Sequence, residues 1–192
     1  SNAVAQGLAL RGGQATDGGG LYLGDGAKAW DCAVYSNRAS AQGGGVYLGA
    51  GSEIGDSTVT RNAADGRGGG VYASSGAFIR DCTVSENRAA SHGGGGYLQP
   101  GATATNGTWS ANNAAGDGGG LYAESACRVG AVSVTDNVSS NRGGGIFLAG
   151  VCDLGGCVLA GNRAASSGGG FFAGGASTAR FCRISGNTAQ NA

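Results

Sequence analysis

Six cysteines are the side chains of this 192-residue chain that could carry redox or metal chemistry. They recur at a 25-residue interval or its multiples, in one series of Cys32, Cys82, Cys157 and Cys182 and a second of Cys127 and Cys152. If the backbone repeats its path with that period, members of a series stack about 4.8 Å apart, whereas a disulfide needs Cβ atoms about 3.8 Å apart. We therefore predict free, buried thiols that fill apolar space. Cys127–Cys152 and Cys157–Cys182 are the alternative disulfide pairs, and either needs distortion of the stack.

Three aspartates, Asp31, Asp56 and Asp81, recur at the same interval, and Asn106 continues the series. Stacked carboxylates repel one another unless they are paired or bound to a cation, which makes calcium one interpretation. Aspartate and asparagine are also common turn residues, and a solvated turn is the interpretation we favour. The single histidine, His92, belongs to a different series. We therefore expect no metal site and no cofactor.

A catalytic constellation is not evident in the pattern of charges. Charged residues make up 12% of the chain and they follow its repetition. Active sites usually interrupt such regularity with insertions or unmatched polar residues. We therefore predict no catalytic residues here. A polysaccharide-acting enzyme is the alternative, and a wall groove with unmatched acids and bases would favour it.

A series of aromatic residues is the candidate binding surface. It consists of Tyr22, Tyr47, Tyr72, Tyr97, Tyr122, Phe147 and Phe172, one in each repeat. Seven rings stacked on an outer face would form a stripe about 30 Å long, which could receive sugar rings or another protein. Mutual stacking that merely stiffens the molecule is the interpretation we favour.

A double row of Thr and Ser residues forms a second candidate surface. It contains Thr58 with Thr60, Thr83 with Ser85, Thr108 with Ser110, and Ser133 with Thr135. Such rows resemble the flat threonine arrays of some ice-binding proteins, although threonine is also simply a good strand residue. Ice binding is therefore a minor alternative.

These series are positioned by one exact repeat. The triplet Gly-Gly-Gly begins at residues 18, 43, 68, 93, 118, 143 and 168, always at the same 25-residue interval. Apolar residues alternate with polar ones, and no window has helical periodicity, which predicts three short strands per repeat. By this alternation the fourth, sixth, twelfth, fifteenth and seventeenth residues of each repeat point inward, and the aromatic fifth residue points outward. Trp109 occupies an inward position in the repeat that contains Gly96 and Gly107, which predicts that these residues share one interior.

Every repeat also has an asparagine at its twentieth position. The series is Asn37, Asn62, Asn87, Asn112, Asn137, Asn162 and Asn187. Stacked amides can hydrogen-bond along the column and can satisfy backbone groups at a turn, which predicts a structural asparagine ladder. The glycine triplet suits a corner where φ is positive or the backbone is crowded.

The segments "GGGVY" and "CTVSENRAA" carry a family resemblance. They resemble the GGA[ILV] and FxxN repeats of chlamydial polymorphic outer-membrane proteins, and the wider class of right-handed β-helix repeats in surface proteins. The third small residue is Gly here, and Val, Trp, Leu or Ile replaces the Phe of FxxN. The resemblance implies a right-handed fold and a role at a cell surface.

We therefore predict an all-β chain that folds as a right-handed, single-stranded parallel β-helix of seven 25-residue coils. Residues 18–192 form the coils, residues 4–17 form a degenerate N-terminal part-coil, and residues 1–3 resemble a scar of tag removal. The balance of 12 basic and 12 acidic residues gives no reason to expect nucleic acid. No apolar run is long enough for a membrane span, so direct membrane insertion is not expected.

The function predicted from these features is that of a structural rod in an extracellular or cell-surface protein, with an adhesin-like role and no catalysis of its own. A carbohydrate-binding module that uses an exposed aromatic ladder is the main alternative. Glycans or proteins of a host or partner are the expected ligands. Coils whose ends are open could also stack end to end on another copy.

Overall fold

The computed structural model describes residues 3–190, and every one of its regular elements is a β-strand. Each 25-residue repeat completes one coil of a parallel β-helix, as predicted. The strands of successive coils pair to form four sheets that run the length of the molecule. The start of the interpreted tag scar, Ser1 and Asn2, lies outside the described residues. No helix able to span a membrane is present in residues 3–190.

Sheet A consists of Val4–Gln6, Lys28–Trp30, Glu53–Gly55, Phe78–Arg80, Thr103–Thr105, Arg128–Gly130, Asp153–Gly155 and Thr178–Arg180. Sheet B consists of Ala9–Arg11, Ala33–Tyr35, Thr58–Thr60, Thr83–Ser85, Thr108–Ser110, Ser133–Thr135, Val158–Ala160 and Arg183–Ser185. Sheet C consists of Gln14–Asp17, Arg38–Gln42, Ala63–Ala64, Arg88–Ala89, Asn113–Ala114, Val138–Ser139, Arg163–Ala164 and Thr188–Ala189. Sheet D consists of Leu21–Leu23, Val46–Leu48, Val71–Ala73, Gly96–Leu98, Leu121–Ala123, Ile146–Leu148 and Phe171–Ala173.

The coil has four strands, and the prediction of three was wrong. The missed strand belongs to sheet C, where most strands are only two residues long, as in Ala63–Ala64. Two residues are too few to show the alternation by which a strand is recognised in a sequence. Left-handed residues turn the chain between these short strands, for example Asp56 with φ of 47° and Arg61 with φ of 55°.

The aspartate series lies at one of these turns. Asp31, Asp56, Asp81 and Asn106 all have positive φ, between the strands of sheets A and B. Aspartate and asparagine tolerate this conformation better than other non-glycine residues. The turn interpretation is therefore confirmed. No cluster of side chains suited to a metal ion occurs within residues 3–190.

The register keeps the 25-residue period from residue 18 onward. Thr58 pairs with Thr83, and Tyr72 pairs with Tyr97, so like residues lie over like. Residues 4–17 form the first strand of each of sheets A, B and C. Val4 pairs with Lys28, however, which is one position short of the full 25-residue period. An irregularity between Ala15 and Asp17 restores the longer spacing.

The inward series fill a continuous apolar core. Val34, Val59, Val84 and Leu159 are fully buried in one column, and Leu48, Leu98 and Leu148 in another. Gly96 and Trp109 share one part of the interior, as predicted. A Cβ atom on Gly96 would lie 2.7 Å from Cζ3 of the indole. Gly96 therefore leaves the space that the larger ring occupies.

The asparagine ladder is buried and is fully hydrogen-bonded, as predicted. Oδ1 of Asn87 accepts bonds from the backbone N of Asn62 at 2.9 Å and from Nδ2 of Asn62 at 3.1 Å. Nδ2 of Asn87 donates onward to Asn112 and back to the carbonyl of Val59. Each internal asparagine thus links its own coil to the coils on both sides. A buried amide without these partners would cost about 1–3 kcal/mol per unsatisfied group.

The glycine triplet has a separate reason at each position, as the third coil shows. Gly68 has a φ of +66°, which disfavours a side chain. A Cβ atom on Gly69 would overlap the carbonyl oxygen of Gly94, and one on Gly70 would lie 2.8 Å from the Asn87 amide nitrogen. The triplet therefore makes room for the asparagine ladder and for the next coil.

Candidate functional site

The predicted aromatic series forms an uninterrupted ladder on the outer face of sheet D. Ring centroids of successive coils are 4.7–5.4 Å apart, and the planes of neighbouring rings differ by 1–17°. The rings occupy the middle residue of each strand, between two side chains that point into the core, as at Val71–Ala73. The in-register pairing of sheet D therefore brings all seven rings into one stack.

The ladder is not the exposed stripe that its sequence predicted. Tyr72 and Tyr97 are each only 3% exposed and Phe147 only 5%, whereas Tyr22 at the end of the ladder is 60% exposed. The two neighbours of each internal ring cover both of its faces, so only the ring edges approach the surface. Sugars stack on ring faces. The predicted exposure is therefore wrong for Tyr72, Tyr97 and Phe147, and the binding of sugars by the ladder stays a prediction.

In the middle of the ladder, polar side chains two residues beyond a ring bind the phenol group of the coil before. Ser74 Oγ donates to the Tyr47 hydroxyl at 3.2 Å, Gln99 hydrogen-bonds with Tyr72, and the Tyr97 hydroxyl donates to Glu124. Burial raises the pKa of Tyr97, and the hydrogen bond to Glu124 raises it further. These bonds fix the ring edges, and burial also raises the pKa of Tyr72.

A row of charged side chains covers the other edge of the ladder. Arg67 lies over the Tyr97 ring at 5.0 Å, and Arg142 lies over both Phe147 and Phe172 at 4.8 and 5.1 Å. Such cation–π contacts stabilise a ring and limit its access to solvent. The row occupies the last position of four successive repeats, at Arg67, His92, Asp117 and Arg142, so comparison of that column could have found it.

Asp117 joins this row into a network. Arg142 donates from Nε and Nη2 to its carboxylate at 3.2 and 3.0 Å, and the backbone N of Asp117 donates to Nδ1 of His92 at 2.9 Å. Burial lowers the pKa of His92, which favours the neutral ring that accepts this bond. Asp117 is buried, and its bonds to Arg142 and His92 hold these side chains against the rings of the ladder.

All six cysteines are free thiols, as predicted. Cys32, Cys82, Cys127, Cys152 and Cys157 are at most 3% exposed. Burial raises the pKa of Cys82 to about 12 and that of Cys157 to about 11. Hydrogen bonding with Cys152 raises the pKa of Cys127. The same hydrogen bond lowers the pKa of Cys152 to about 7. The five buried thiols nevertheless act as core side chains, because a nucleophile needs access that their burial denies.

The Thr and Ser rows lie on the outer face of sheet B. Thr58, Thr83 and Thr108 are exposed and pair in register, and Ser85 Oγ donates to Thr60 Oγ1 at 3.2 Å between neighbouring coils. The rows are thus held in a regular array by the sheet beneath them.

A groove on the outer face of sheet A was not anticipated from the sequence. It has a volume of about 580 Å³ and crosses the coils from Phe78 to Phe181. One side is the column of Phe78, Thr103, Arg128 and Asp153, and the floor is the neighbouring column of Arg80, Thr105, Gly130 and Gly155. Asn106, Ala131 and Gly156 form the opposite side.

The groove carries one pair of opposite charges. Among the described residues that line it, Asp153 is the single carboxylate. Glycoside hydrolysis generally uses two carboxylates on opposite sides of the scissile bond. Arg128 and Asp153 instead offer one donor group and one acceptor group side by side.

A family model described as the right-handed beta helix region matches residues 14–191. The match is to the general family and does not confirm the narrower resemblance to chlamydial repeats. No curated protein and no solved structure gives a significant match to the chain.

Proposed function

Because the chain belongs to the right-handed β-helix family, we propose that it is a rigid rod section of an extracellular or cell-surface protein, with an adhesin-like role. The observation that carries this proposal is the unbroken register. Between residues 18 and 190 each strand pairs with its equivalent in the next coil, one full period along the chain, and no loop insertion interrupts any sheet there.

Two ladders support mechanical stiffness. The asparagine amides connect successive coils inside the molecule, and the aromatic rings connect them outside. Bending the rod away from a ladder would separate its stacked rings or lengthen its amide hydrogen bonds. A uniform, stiff segment suits the task of holding an adhesive surface at a distance from its anchor.

Surface location is tested on cells that make the natural full-length protein. An antibody against the coils should label intact cells. Labelling that requires permeabilised cells would contradict an extracellular role.

The rod role is tested by changing length without changing register. Excision of residues 68–142 removes three whole coils, joins Arg67 to Gly143, and shortens the rod by about 14 Å. We expect reduced adhesion by cells that carry this variant of the full-length protein. Replacement of the excised part by three copies of residues 43–67 restores length but not sequence.

The replacement variant separates a spacer from a ligand site. A spacer regains adhesion when its length is restored. If the shortened protein adheres as well as the original, the segment has no rod role.

A further inference from the structure

Two glycines create the groove on sheet A without being required by the backbone. A Cβ atom on Gly155 would have no neighbour within 4 Å, and one on Gly130 would approach no atom closer than 3.7 Å. Neither glycine has a positive φ. Thr105 and Arg180 occupy the same column in other coils. The structure therefore permits larger residues at both sites, and their absence leaves an open notch.

The same wall shows what such a notch accepts. Gly55 belongs to this column, and the indole of Trp30 from the preceding coil lies directly over it: an added Cβ would overlap Cζ3 of the ring. A flat ring thus fills the glycine notch of the second coil. Nothing in residues 3–190 covers the equivalent notches at Gly130 and Gly155 in this way.

Charges beside the groove nearly cancel. The Arg80 guanidinium is 2.5 Å from Glu53, which Lys28 also contacts at 3.0 Å. Arg128 and Asp153 are cross-strand neighbours, and among the described residues neither forms an ion pair. With Thr103 and Thr105 they present donors and acceptors together, which suits hydroxyl groups that both donate and accept.

Exposed aromatic rings lie at both ends. Phe78 is 40% exposed and Phe181 is 95% exposed. Phe181 has a φ of 57° at the turn where the aspartate series stands in earlier coils. A bulky side chain is strained in that conformation, and such strain is more common at binding sites than elsewhere.

We propose that this groove binds a neutral oligosaccharide. A sugar ring lies in the notch above Gly130 and Gly155, and its hydroxyls bond to Arg128 and Asp153. The aromatic rings of Phe78 and Phe181 contact the sugars beyond. This site is separate from the aromatic ladder, and it does not depend on the rod role.

The test uses a panel of cellotetraose, xylotetraose, mannotetraose, chitotetraose and tetragalacturonate with the whole chain. Binding is measured by calorimetry and by NMR shifts of backbone amides. We expect at least one neutral tetrasaccharide to bind, with shifts centred on Arg128 and Asp153. Gly155→Leu should weaken that binding at least tenfold, because the new side chain fills the notch.

Gly24→Leu is the matched control. A Cβ atom there also has no neighbour within 4 Å, and Gly24 lies away from the groove. This variant should bind like the original chain, and both variants should unfold at its melting temperature. Failure of every sugar to bind at millimolar concentration, or binding that Gly155→Leu leaves intact, overturns the proposal. Binding of tetragalacturonate alone overturns the neutral ligand, and a groove that instead takes aromatic peptides overturns the sugar.

Discussion

Oδ1 of Asn112 accepts two hydrogen bonds from Asn87, one from its backbone N at 2.9 Å and one from its Nδ2 at 3.1 Å. Both residues are 1% exposed. The side-chain oxygen therefore accepts the bond that a backbone carbonyl would accept in a regular strand. Because the site is buried, water cannot take its place.

Asn112→Ala should lower the free energy of unfolding by about 4 kcal/mol, because both donors of Asn87 and the Val84 carbonyl lose their partner. Urea denaturation measures the change. Asn113→Ala, at the exposed neighbouring position, should cost less than about 0.5 kcal/mol. Equal losses for the two variants would contradict the structural role of the ladder.

Gly96 and Trp109 should be strongly coupled. Gly96→Val alone should cost about 1–3 kcal/mol through overlap with the indole, and Trp109→Val alone should cost about 3 kcal/mol through the cavity that it leaves. The double variant recreates the pair of Val71 and Val84 in the preceding coil, and should recover most of the loss. A double-mutant cycle by urea denaturation measures the coupling, and additive losses would show that the two sites do not share space.

Position in the aromatic ladder should decide the cost of losing a ring. Tyr97→Ala removes a buried ring that stacks on Tyr72 and Tyr122, and should cost about 3–4 kcal/mol. Tyr22→Ala removes a largely exposed ring with one stacking neighbour, and should cost less than about 1 kcal/mol. Chemical denaturation compares the two. A small effect of Tyr97→Ala would mean that the stack adds little to the free energy of unfolding.

Alkaline pH should destabilise the chain through Cys82. Burial raises the pKa of this thiol from 9.0 to about 12 in the folded chain. Its contribution is constant below about pH 9. As the pH rises toward 12, the unfolded chain loses the proton and the folded chain keeps it, so stability falls by about 1.4 kcal/mol per pH unit.

Cys82→Ser isolates that contribution. Ser57 occupies the equivalent position and donates to the Gly55 carbonyl, as Cys82 donates to the Arg80 carbonyl. Between about pH 8 and pH 11 the original chain should lose about 2–3 kcal/mol more than the variant in urea unfolding experiments. Identical pH profiles would show that the thiol is not protected by the core.

The repeat, the inward columns and the asparagine ladder could be predicted because each is written seven times in the sequence. A column of identical residues at one interval leaves few alternatives to stacking. The Trp109 and Gly96 exchange could be predicted for the same reason, since a deviation is visible only against a regular background.

The burial of the tyrosines could not be predicted from alternation alone. Alternation correctly placed Tyr97 outside the core, but exposure depends on what lies beside a ring, and here its neighbours are Tyr72, Tyr122, Arg67 and Glu124. The groove was missed for a related reason. The open space above Gly130 and Gly155 depends on the side chains of other coils, so it is not visible in the repeat itself.

The amide column also has a direction. Every internal asparagine receives bonds on its oxygen from the lower-numbered coil and sends them from its backbone N toward the higher-numbered one, as Asn62, Asn87 and Asn112 show. The dipoles of the column therefore add, much as those of peptide groups do in an α-helix. The acceptor end of the column is already closed, because Oδ1 of Asn37 accepts a bond from the backbone N of Gly13 at 2.9 Å. Residues of the N-terminal part-coil thus cap the column at that end, and the column has one sense along the whole molecule.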